Sequence, residues 1–212
     1  MRRDRRPGLA GPLLRLAGVA ALGVAARNHL SEPDEQARAT IYGRRSDLLD
    51  RTLPALTDLG STYAAASAAG VLWALGRKRI ARDVGAATAI AWVAGQALKP
   101  VFRRPRPYDA SGVELYVRKP AGSSYPSSHP AVAAAMARVV ERDMRGPMRG
   151  WLGKVPRFVA FSRVYVGAHY PTDVIGGLLL GRAVADLWRR YAPPPRSGSS
   201  SSRGRSPSRS PA

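Results

Sequence analysis

The chain has 212 residues, a length that fits one domain with a substantial core. Its 34 Lys and Arg residues against 14 Asp and Glu give a net charge of +20, which indicates an anionic partner: nucleic acid, a membrane surface or a phosphorylated substrate. It contains no cysteine, which excludes disulfide bonds.

Residues 1–30 combine a basic start with an apolar stretch. Four arginines within residues 1–7 precede the stretch from Gly8 to Ala26, an order that is also found in signal peptides. Because Pro12 and Arg15 interrupt the stretch, we expect an uncleaved, weakly hydrophobic first membrane helix. A helix lying in the membrane interface is the alternative.

Residues 31–52 are polar, and the run Ser31-Glu32-Pro33 is typical of a helix start, so a helical connection is expected here. Residues 53–191 are predicted to form the membrane-embedded core. Its apolar segments are 53–76, 83–98, 131–140, 151–168 and 174–191. The predicted fold is therefore all-α: a multi-span membrane bundle of about five or six helices, with its site in loops at one membrane face.

Details within these segments give further expectations. Arg138 and Glu141 indicate that the short segment 131–140 packs within protein rather than against lipid. In the last segment, Gly176, Gly177 and Gly181 allow close helix packing. Arg182 and Asp186 lie four residues apart there, and we expect them to pair.

The stretch from Ser162 to Asp173 places a cation, an imidazole and a carboxylate within twelve residues. Pro171 suits the first position of a helix, which leaves His169 just before the helix and Asp173 in its first turn. Asp173 is then within reach of the His169 ring, and a carboxylate on one ring nitrogen leaves the other free as a nucleophile or base. A simple local hydrogen bond is the alternative interpretation.

Two earlier stretches strengthen the catalytic interpretation. Pro126-Ser127-Ser128-His129-Pro130 places a second histidine at a loop-to-helix junction, where free N–H groups can bind phosphate. Pro130 is expected at the first helical position. The run from Lys99 to Pro107 sets four cations among three prolines, which favours a stiff, non-helical loop that presents its charges.

Together, Lys99-x6-Arg106-Pro107, Pro126-Ser127-x-His129 and Ser162-Arg163-x5-His169-x3-Asp173 resemble the three-part signature of the type 2 phosphatidic acid phosphatases, whose superfamily includes the vanadium haloperoxidases. The resemblance implies metal-independent hydrolysis of a phosphoester on a helical bundle, with no cofactor. It also implies the residue roles. His169 is the nucleophile that becomes phosphohistidine, Asp173 orients it, and His129 is the general acid. The phosphate clamp consists of Lys99, Arg106, Arg163, Ser127 and the backbone N–H of Ser128.

One position departs from that signature. Ser128 stands where the family usually has glycine, and its Cβ is expected to hinder close approach of the backbone to phosphate.

The residue types fit this chemistry without the family. Arginine forks and a lysine charge stabilise the charge that spreads over a phosphoryl group in its transition state, while two imidazoles share attack and proton transfer. No metal-ligand cluster is apparent in the sequence.

The resemblance also implies the partners, a lipid phosphate or diphosphate and membrane lipids, but leaves the substrate and the oligomeric state open. A catalytically inactive membrane scaffold of the same fold is the alternative. A nucleic-acid-binding protein would explain the charge but not the apolar segments or the histidines.

Residues 192–212 consist of Pro, Ser, Arg and Gly and are expected to be a disordered tail. Short loops rich in Lys and Arg stay cytoplasmic. If the six apolar segments each cross once, the basic turns and the tail lie on one side and the site on the other. We therefore expect a multi-pass cell (inner) membrane protein with an extracytoplasmic site.

Overall fold

The computed structural model describes residues 8–28, 31–144 and 147–192, and the regular structure in these ranges is entirely helical. The α-helices are α1 (Ala10–Asn28), α2 (Ser31–Tyr42), α3 (Asp47–Leu56), α4 (Thr62–Ala74), α5 (Lys78–Phe102), α6 (Pro107–Ala110), α7 (Ser128–Val140), α8 (Pro147–Leu152), α9 (Val155–Tyr165) and α10 (Pro171–Tyr191). A short 3-10 helix, Thr57–Gly60, connects α3 to α4. The predicted all-α class is confirmed, whereas the predicted tail lies, apart from Ala192, outside the described residues.

Helix α7 lies at the centre of the bundle, where it packs against α5, α9 and α10. Ala131 and Ala135 are fully buried, which confirms that this short helix packs within protein. Helix α10 crosses it closely. A Cβ at Gly181 would lie 2.0 Å from the Ala131 carbonyl oxygen, and one at Gly177 would lie 2.3 Å from that of Ser127. The glycines of α10 therefore permit the backbone contact that the sequence predicted.

The course of the chain gives the bundle two distinct ends. Helices α5 and α9 end where α7 and α10 begin, and we call this the site end. The opposite end, the far end, holds the connection 75–77 and residues 141–144 and 147–154. Helix α1 runs from the far end towards the site end. Its Arg15 contacts Asp186 in the second half of α10, and its Val19 carbonyl accepts a hydrogen bond from Tyr125, shortly before α7.

Two segments predicted to be single helices are divided. Residues 53–76 do not form one helix, because α3 stops at Leu56 and the 3-10 helix passes directly beside α7. A Cβ at Gly60 would lie 2.7 Å from the carbonyl oxygen of His129, so only glycine permits this approach. The hydroxyl of Ser61 then caps α4 by accepting a hydrogen bond from the Ala64 N–H. Residues 151–168 are likewise divided between α8 and α9.

Helix α5, in contrast, is longer than predicted. It extends through Lys99 and Pro100 to Phe102, so the expectation of a non-helical loop from Lys99 onward is wrong. The ring of Pro100 removes one N–H but has a helical φ, and the neighbouring turns hold the helix. The helix ends at Arg103, which adopts a left-handed conformation with φ 48°. The stiff loop therefore starts four residues later than predicted.

By length and composition, α1 is the one helix within the described ranges that could cross a bilayer. The six predicted apolar segments correspond to α1, α4, α5, α7, α9 and α10. How many of them cross a membrane stays a prediction.

Candidate active site

His169 lies in the loop between α9 and α10 and is 3% exposed. Its Nε2 is 3.1 Å from Nη1 of Arg106. Because a guanidinium can only donate hydrogen bonds, Nε2 must turn a lone pair towards Arg106. The proton of the neutral ring is then on Nδ1, which lies 3.6 Å from Oδ2 of Asp173. The basic nitrogen of His169 therefore faces the cations of the site.

Asp173 is fully buried in the first turn of α10, and Pro171 occupies the start of that helix, as predicted. Its carboxylate accepts a 2.8 Å hydrogen bond from the Tyr170 N–H and another from the Ser124 hydroxyl. Nη1 of Arg104 donates to Oδ1 at 2.9 Å. These three donors fix the carboxylate beside the His169 ring.

Arg104 and Asp34 belong to this arrangement, and sequence reasoning missed both. Nη2 of Arg104 lies 2.6 Å from Oδ2 of Asp34, a residue of α2 that is 4% exposed. Asp34 also accepts hydrogen bonds from the N–H and the hydroxyl of Thr172. Arg104 therefore joins two buried carboxylates, and we call Asp34, Arg104 and Asp173 the support triad. It connects α2 to the first turn of α10.

The predicted phosphate-binding cations are placed together at the site end. Lys99 lies in the last turn of α5 and Arg163 in the last turn of α9, while Arg106 follows α5 in the loop. The Arg106 guanidinium donates to the carbonyl oxygens of Gly122 and Ala168, at 2.9 and 3.1 Å. Within the described ranges, none of the three cations forms an ion pair with a carboxylate.

Arg163 is a buried cation with few polar contacts. It is 3% exposed, and its Nη1 makes a long hydrogen bond of 3.4 Å to Oγ1 of Thr57. Its Nε has no hydrogen-bond partner among the described residues. A buried charge without a counterion is costly to maintain, so an anionic ligand here would lower the free energy of the folded state.

His129 lies in the first turn of α7 beside this clamp. Its Nε2 is 3.9 Å from Oδ1 of Asp58, and its side chain is 30% exposed. It therefore reaches solvent, whereas His169 does not. Thr57 and Asp58, which contact Arg163 and His129, both come from the 3-10 helix that the sequence analysis treated as part of a continuous helix.

The start of α7 differs from its prediction by two residues. Ser127 is the N-cap and Ser128 the first helical residue, so Pro130 is not at the first position. The Ser127 N–H donates to the carbonyl oxygen of Asp173 at 3.0 Å, and its buried hydroxyl has no partner among the described residues. The Ser128 side chain faces α5, where a Cβ at Gly95 would lie 3.3 Å from its hydroxyl. The side chain of Ser128 therefore occupies space that Gly95 leaves open.

The surroundings keep His169 neutral. Burial lowers its pKa well below the usual value of about 6.5, and the neighbouring charges of Arg106, Arg163 and Lys99 lower it further. Burial also lowers the pKa of Arg106. A neutral imidazole with a fixed tautomer beside three cations is suited to attack an anionic phosphorus centre.

A cleft of about 540 Å³ opens at this end, lined by Lys99, Pro100, Arg103, Arg104, Pro105, Arg106, Asp109, Gly122 and Ser123. Among the described residues, no group of three or more His, Asp or Glu side chains is arranged to hold a metal ion. The cleft shares Lys99 and Arg106 with the cations that surround the two histidines. Basic groups beside two imidazoles are the pattern of an enzyme that acts on phosphate esters.

Comparison with known proteins identifies the family. Residues 80–196 match the model of the PAP2 superfamily, and the chain therefore belongs to that superfamily. It is 33% identical to a decaprenylphosphoryl-5-phosphoribose phosphatase of Mycolicibacterium smegmatis, over 66% of this chain and 76% of the relative. It is also 33% identical to an undecaprenyl-diphosphatase of Bacillus subtilis, but there the match spans only 47% of the relative, about half its length.

A solved structure agrees with this assignment at the level of the fold. The transmembrane PAP2-type phosphatidylglycerolphosphate phosphatase of Bacillus subtilis superposes with a TM-score of 0.73 at 21% identity, covering 84% of this chain and 93% of that one.

Proposed function

We propose that this protein is a membrane phosphatase that removes the terminal phosphate from a lipid phosphate or diphosphate. The observation that carries the proposal is the convergence of Lys99, Arg106 and Arg163, none of which has a carboxylate partner in the described ranges, on the buried neutral ring of His169. Unpaired cations bind phosphate, and a neutral imidazole held among them attacks it.

In the proposed first step, a phosphate group enters between the cations and displaces Arg106 from Nε2 of His169. Nε2 attacks phosphorus, a phosphorus–nitrogen bond forms, and the bond between phosphorus and the leaving oxygen breaks. The imidazole becomes positively charged, and Asp173 stabilises it across the 3.6 Å to Nδ1. A carboxylate–imidazole contact of this length in a ligand-free enzyme is expected to tighten in the transition state.

His129 supplies the proton for the leaving oxygen. The negative charge of bound phosphate offsets the three cations and so favours the protonated form of His129. In the second step, neutral His129 removes a proton from water, the water oxygen attacks phosphorus, and the bond to His169 breaks to release inorganic phosphate. The side-chain exposure of His129, 30%, gives water a path to it. Both steps use only protein side chains and water.

The substrates we propose are polyprenyl lipids with a terminal phosphoryl group, held by an anhydride bond in a diphosphate or by an ester bond in a phosphoryl sugar phosphate. The sequence relatives are named for these two kinds of lipid, and the match to the phosphoribose phosphatase covers the larger share of both chains. Phosphatidic acid and phosphatidylglycerol phosphate carry the same terminal group and belong in the same comparison.

A phosphate-release assay on the full-length chain in detergent, with these four lipids, tests the proposal. We expect release from at least one polyprenyl substrate, undiminished by a chelator and inhibited by vanadate, which resembles the trigonal transition state. Activity that is lost in chelator and restored by Mg²⁺ would contradict the metal-independent mechanism. Absence of release from every lipid would favour the inactive scaffold.

For location, we propose a multi-pass membrane protein with the site end outside the cytoplasm. The far end carries Arg77 with Lys78 and Arg79 at the start of α5, and it carries Arg149 in α8 and Lys154 before α9. Short connecting segments rich in such residues stay cytoplasmic. Trp73 and Trp151, also at the far end, are exposed and stacked with Lys78 and Lys154, as is common at a membrane interface.

Single cysteines report this orientation directly, since the chain has none of its own. Ala110 at the site end and Gly150 at the far end are both exposed. A membrane-impermeant thiol reagent on intact cells should label Ala110→Cys and spare Gly150→Cys. The reverse pattern would place the site in the cytoplasm.

A further inference from the structure

A second group of arginines lies at the far end, around Asp186 of α10. Asp186 is 3% exposed and accepts hydrogen bonds from Arg15 of α1 at 3.0 Å, from Arg138 of α7 at 3.0 Å and from Arg142 at 2.7 Å. The predicted pair between Asp186 and Arg182 is therefore wrong. The carboxylate already contacts three guanidinium groups, and Arg182 makes no hydrogen bond or ion pair within the described ranges.

A pocket of about 220 Å³ lies beside this group, lined by Arg15, Ala134, Ala137, Arg138, Glu141, Gly153, Pro156 and Arg182. It is formed by four helices and the turn before α9, so no single helix end creates it. Its charges do not balance. Arg15, Arg138 and Arg182 line it and Arg142 lies next to it. Among the described residues that line the pocket or pair with these arginines, the carboxylates are those of Asp186 and Glu141.

One further feature indicates that part of this excess is available to a ligand. Nε of Arg142 is buried and has no partner among the described residues. Glu141 lines the same pocket, and its Oε1 would lie 2.8 Å from a Cβ at Gly153 in the turn before α9. An excess of positive charge attracts a phosphate group, either a diester with a single negative charge or a monoester with a charge of about −1.5 to −2.

The pocket is separate from the active site. Arg138 is nine residues after His129 on α7, which places it about 13 Å farther along the helix axis. The pocket lies at the level of the proposed membrane interface. Its lining residue Gly153 stands in the sequence between Trp151, which is 66% exposed, and Lys154, whose Nζ is 4.5 Å from the centre of the Trp151 ring. Aromatic residues and lysines of this kind mark the level of lipid headgroups.

We infer that the far-end pocket binds a phosphate group, supplied by the headgroup of an anionic phospholipid or by free phosphate. Planar guanidinium forks from α1, α7 and α10 surround the phosphate oxygens, and Arg182 contributes the fork that no carboxylate occupies. The bound group would also hold α1 against the bundle, since Arg15 is the charged contact of α1 with this cluster.

The test measures binding to the full-length protein in a neutral detergent, by native mass spectrometry and by titration calorimetry. One arm uses phosphatidylglycerol, a diester that a phosphomonoesterase does not cleave, with phosphatidylcholine as the uncharged reference. The other arm uses inorganic phosphate. Phosphate is also expected to bind independently at the catalytic site, so this arm should show two binding events. We compare Arg182→Gln with Arg157→Gln, which removes an equal charge from an exposed position outside the pocket.

We expect one tightly bound phosphatidylglycerol per wild-type chain and a loss of affinity of about tenfold in Arg182→Gln, with Arg157→Gln within about twofold. If the loss appears only with inorganic phosphate, free phosphate is the ligand; if only with the lipid, the headgroup is. Equal losses in both variants, or none in Arg182→Gln, would overturn the inference. If Arg182→Gln does not fold, Arg182→Lys keeps the charge without the fork and is expected to lose about threefold.

Discussion

Arg104 and Arg163 lie in the same site and are equally buried, at 5% and 3% exposure, but their surroundings are opposite. Arg104 belongs to the support triad, with a carboxylate on each side. Arg163 belongs to the clamp and has one long hydrogen bond, to Thr57. A cation that is already paired holds the structure in place, whereas a buried cation left unpaired is available to substrate. The comparison separates two roles that residue type alone does not.

Replacement of the proposed nucleophile should have the largest effect on activity. His169→Ala is expected to lower kcat by about 10⁴-fold or more, because both chemical steps use Nε2. Thermal unfolding should change little, since among the described residues the ring makes a single hydrogen bond, to Arg106. His29→Ala, at the one histidine outside the three motifs, serves as the matched control. Substantial turnover in His169→Ala would exclude it as the nucleophile.

Arg163→Gln, in the clamp, and Arg104→Gln, in the support triad, should differ in their effect on stability. Arg163→Gln should lower kcat by about 10²- to 10³-fold, the range for a lost charge-stabilising donor, and leave the melting temperature nearly unchanged. Arg104→Gln should also cost about 3–5 kcal/mol of unfolding free energy, because two buried carboxylates lose their shared cation.

Activity and denaturant unfolding of both variants in the same detergent check this. Equal destabilisation by the two substitutions would mean that the distinction between clamp and support is wrong.

Asp34 allows the support triad to be tested away from the reacting atoms. Asp34→Asn keeps the shape but removes one charge beside Arg104, and we expect a loss of about 1.5–3 kcal/mol in unfolding free energy. Because Asp173 keeps its other donors, kcat should fall by no more than about tenfold. Glu32→Gln, on the exposed face of the same helix, is the control. A loss of activity as large as that of Arg163→Gln would place Asp34 among the residues that contact substrate.

The neutral state of His169 makes a prediction about pH. Its pKa lies below the usual value because of burial and the three cations, so protonation on acidification should begin only below about pH 6.5. Nuclear magnetic resonance of histidine-labelled protein, with His169→Ala to assign the signal, should show no shift of this ring between pH 8 and 6.5. A midpoint at or above 6.5 would show that the cations do not control the ring.

The smallest effect is expected at Ser128. Its side chain faces Gly95 of α5, so Ser128→Gly should leave kcat/KM within about twofold and cost about 0.5–1 kcal/mol for a glycine in a helix. A large rise in kcat/KM would show that the Cβ does hinder phosphate, as the family pattern suggested. A large fall would show that the hydroxyl contacts substrate.

The sequence predicted that Lys99, Arg106 and Arg163 would lie around His169, but it did not predict the support triad. A motif records the spacing of residues that are close in sequence. The spacing of His169, Pro171 and Asp173 was sufficient to place that histidine before a helix and that carboxylate in its first turn. Asp34 lies 70 positions from Arg104, and nothing local marks it, because the pair exists only once α2 packs beside the loop. Arg103, Arg104 and Arg106 look alike in sequence, and only their neighbours in space distinguish them.

The same limit explains the errors in helix boundaries. Residues 53–76 carry a single charge, Asp58, and were therefore predicted to form one helix, yet contact between Gly60 and the α7 backbone imposes a break. Pro100 suggested an end to α5, but a single proline removes one N–H and does not determine where a 25-residue helix stops. At Gly60, packing against a neighbouring helix outweighed the local preference of the chain.

The central claim is that phosphate is transferred to His169, and a quenched reaction with a substrate labelled in its terminal phosphate tests this most directly. The account predicts a protein-bound label that is stable in base and lost in acid, absent in His169→Ala and accumulated in His129→Ala, where breakdown is slow. Phosphate release without any labelled protein, or an equal label in His169→Ala, would contradict it.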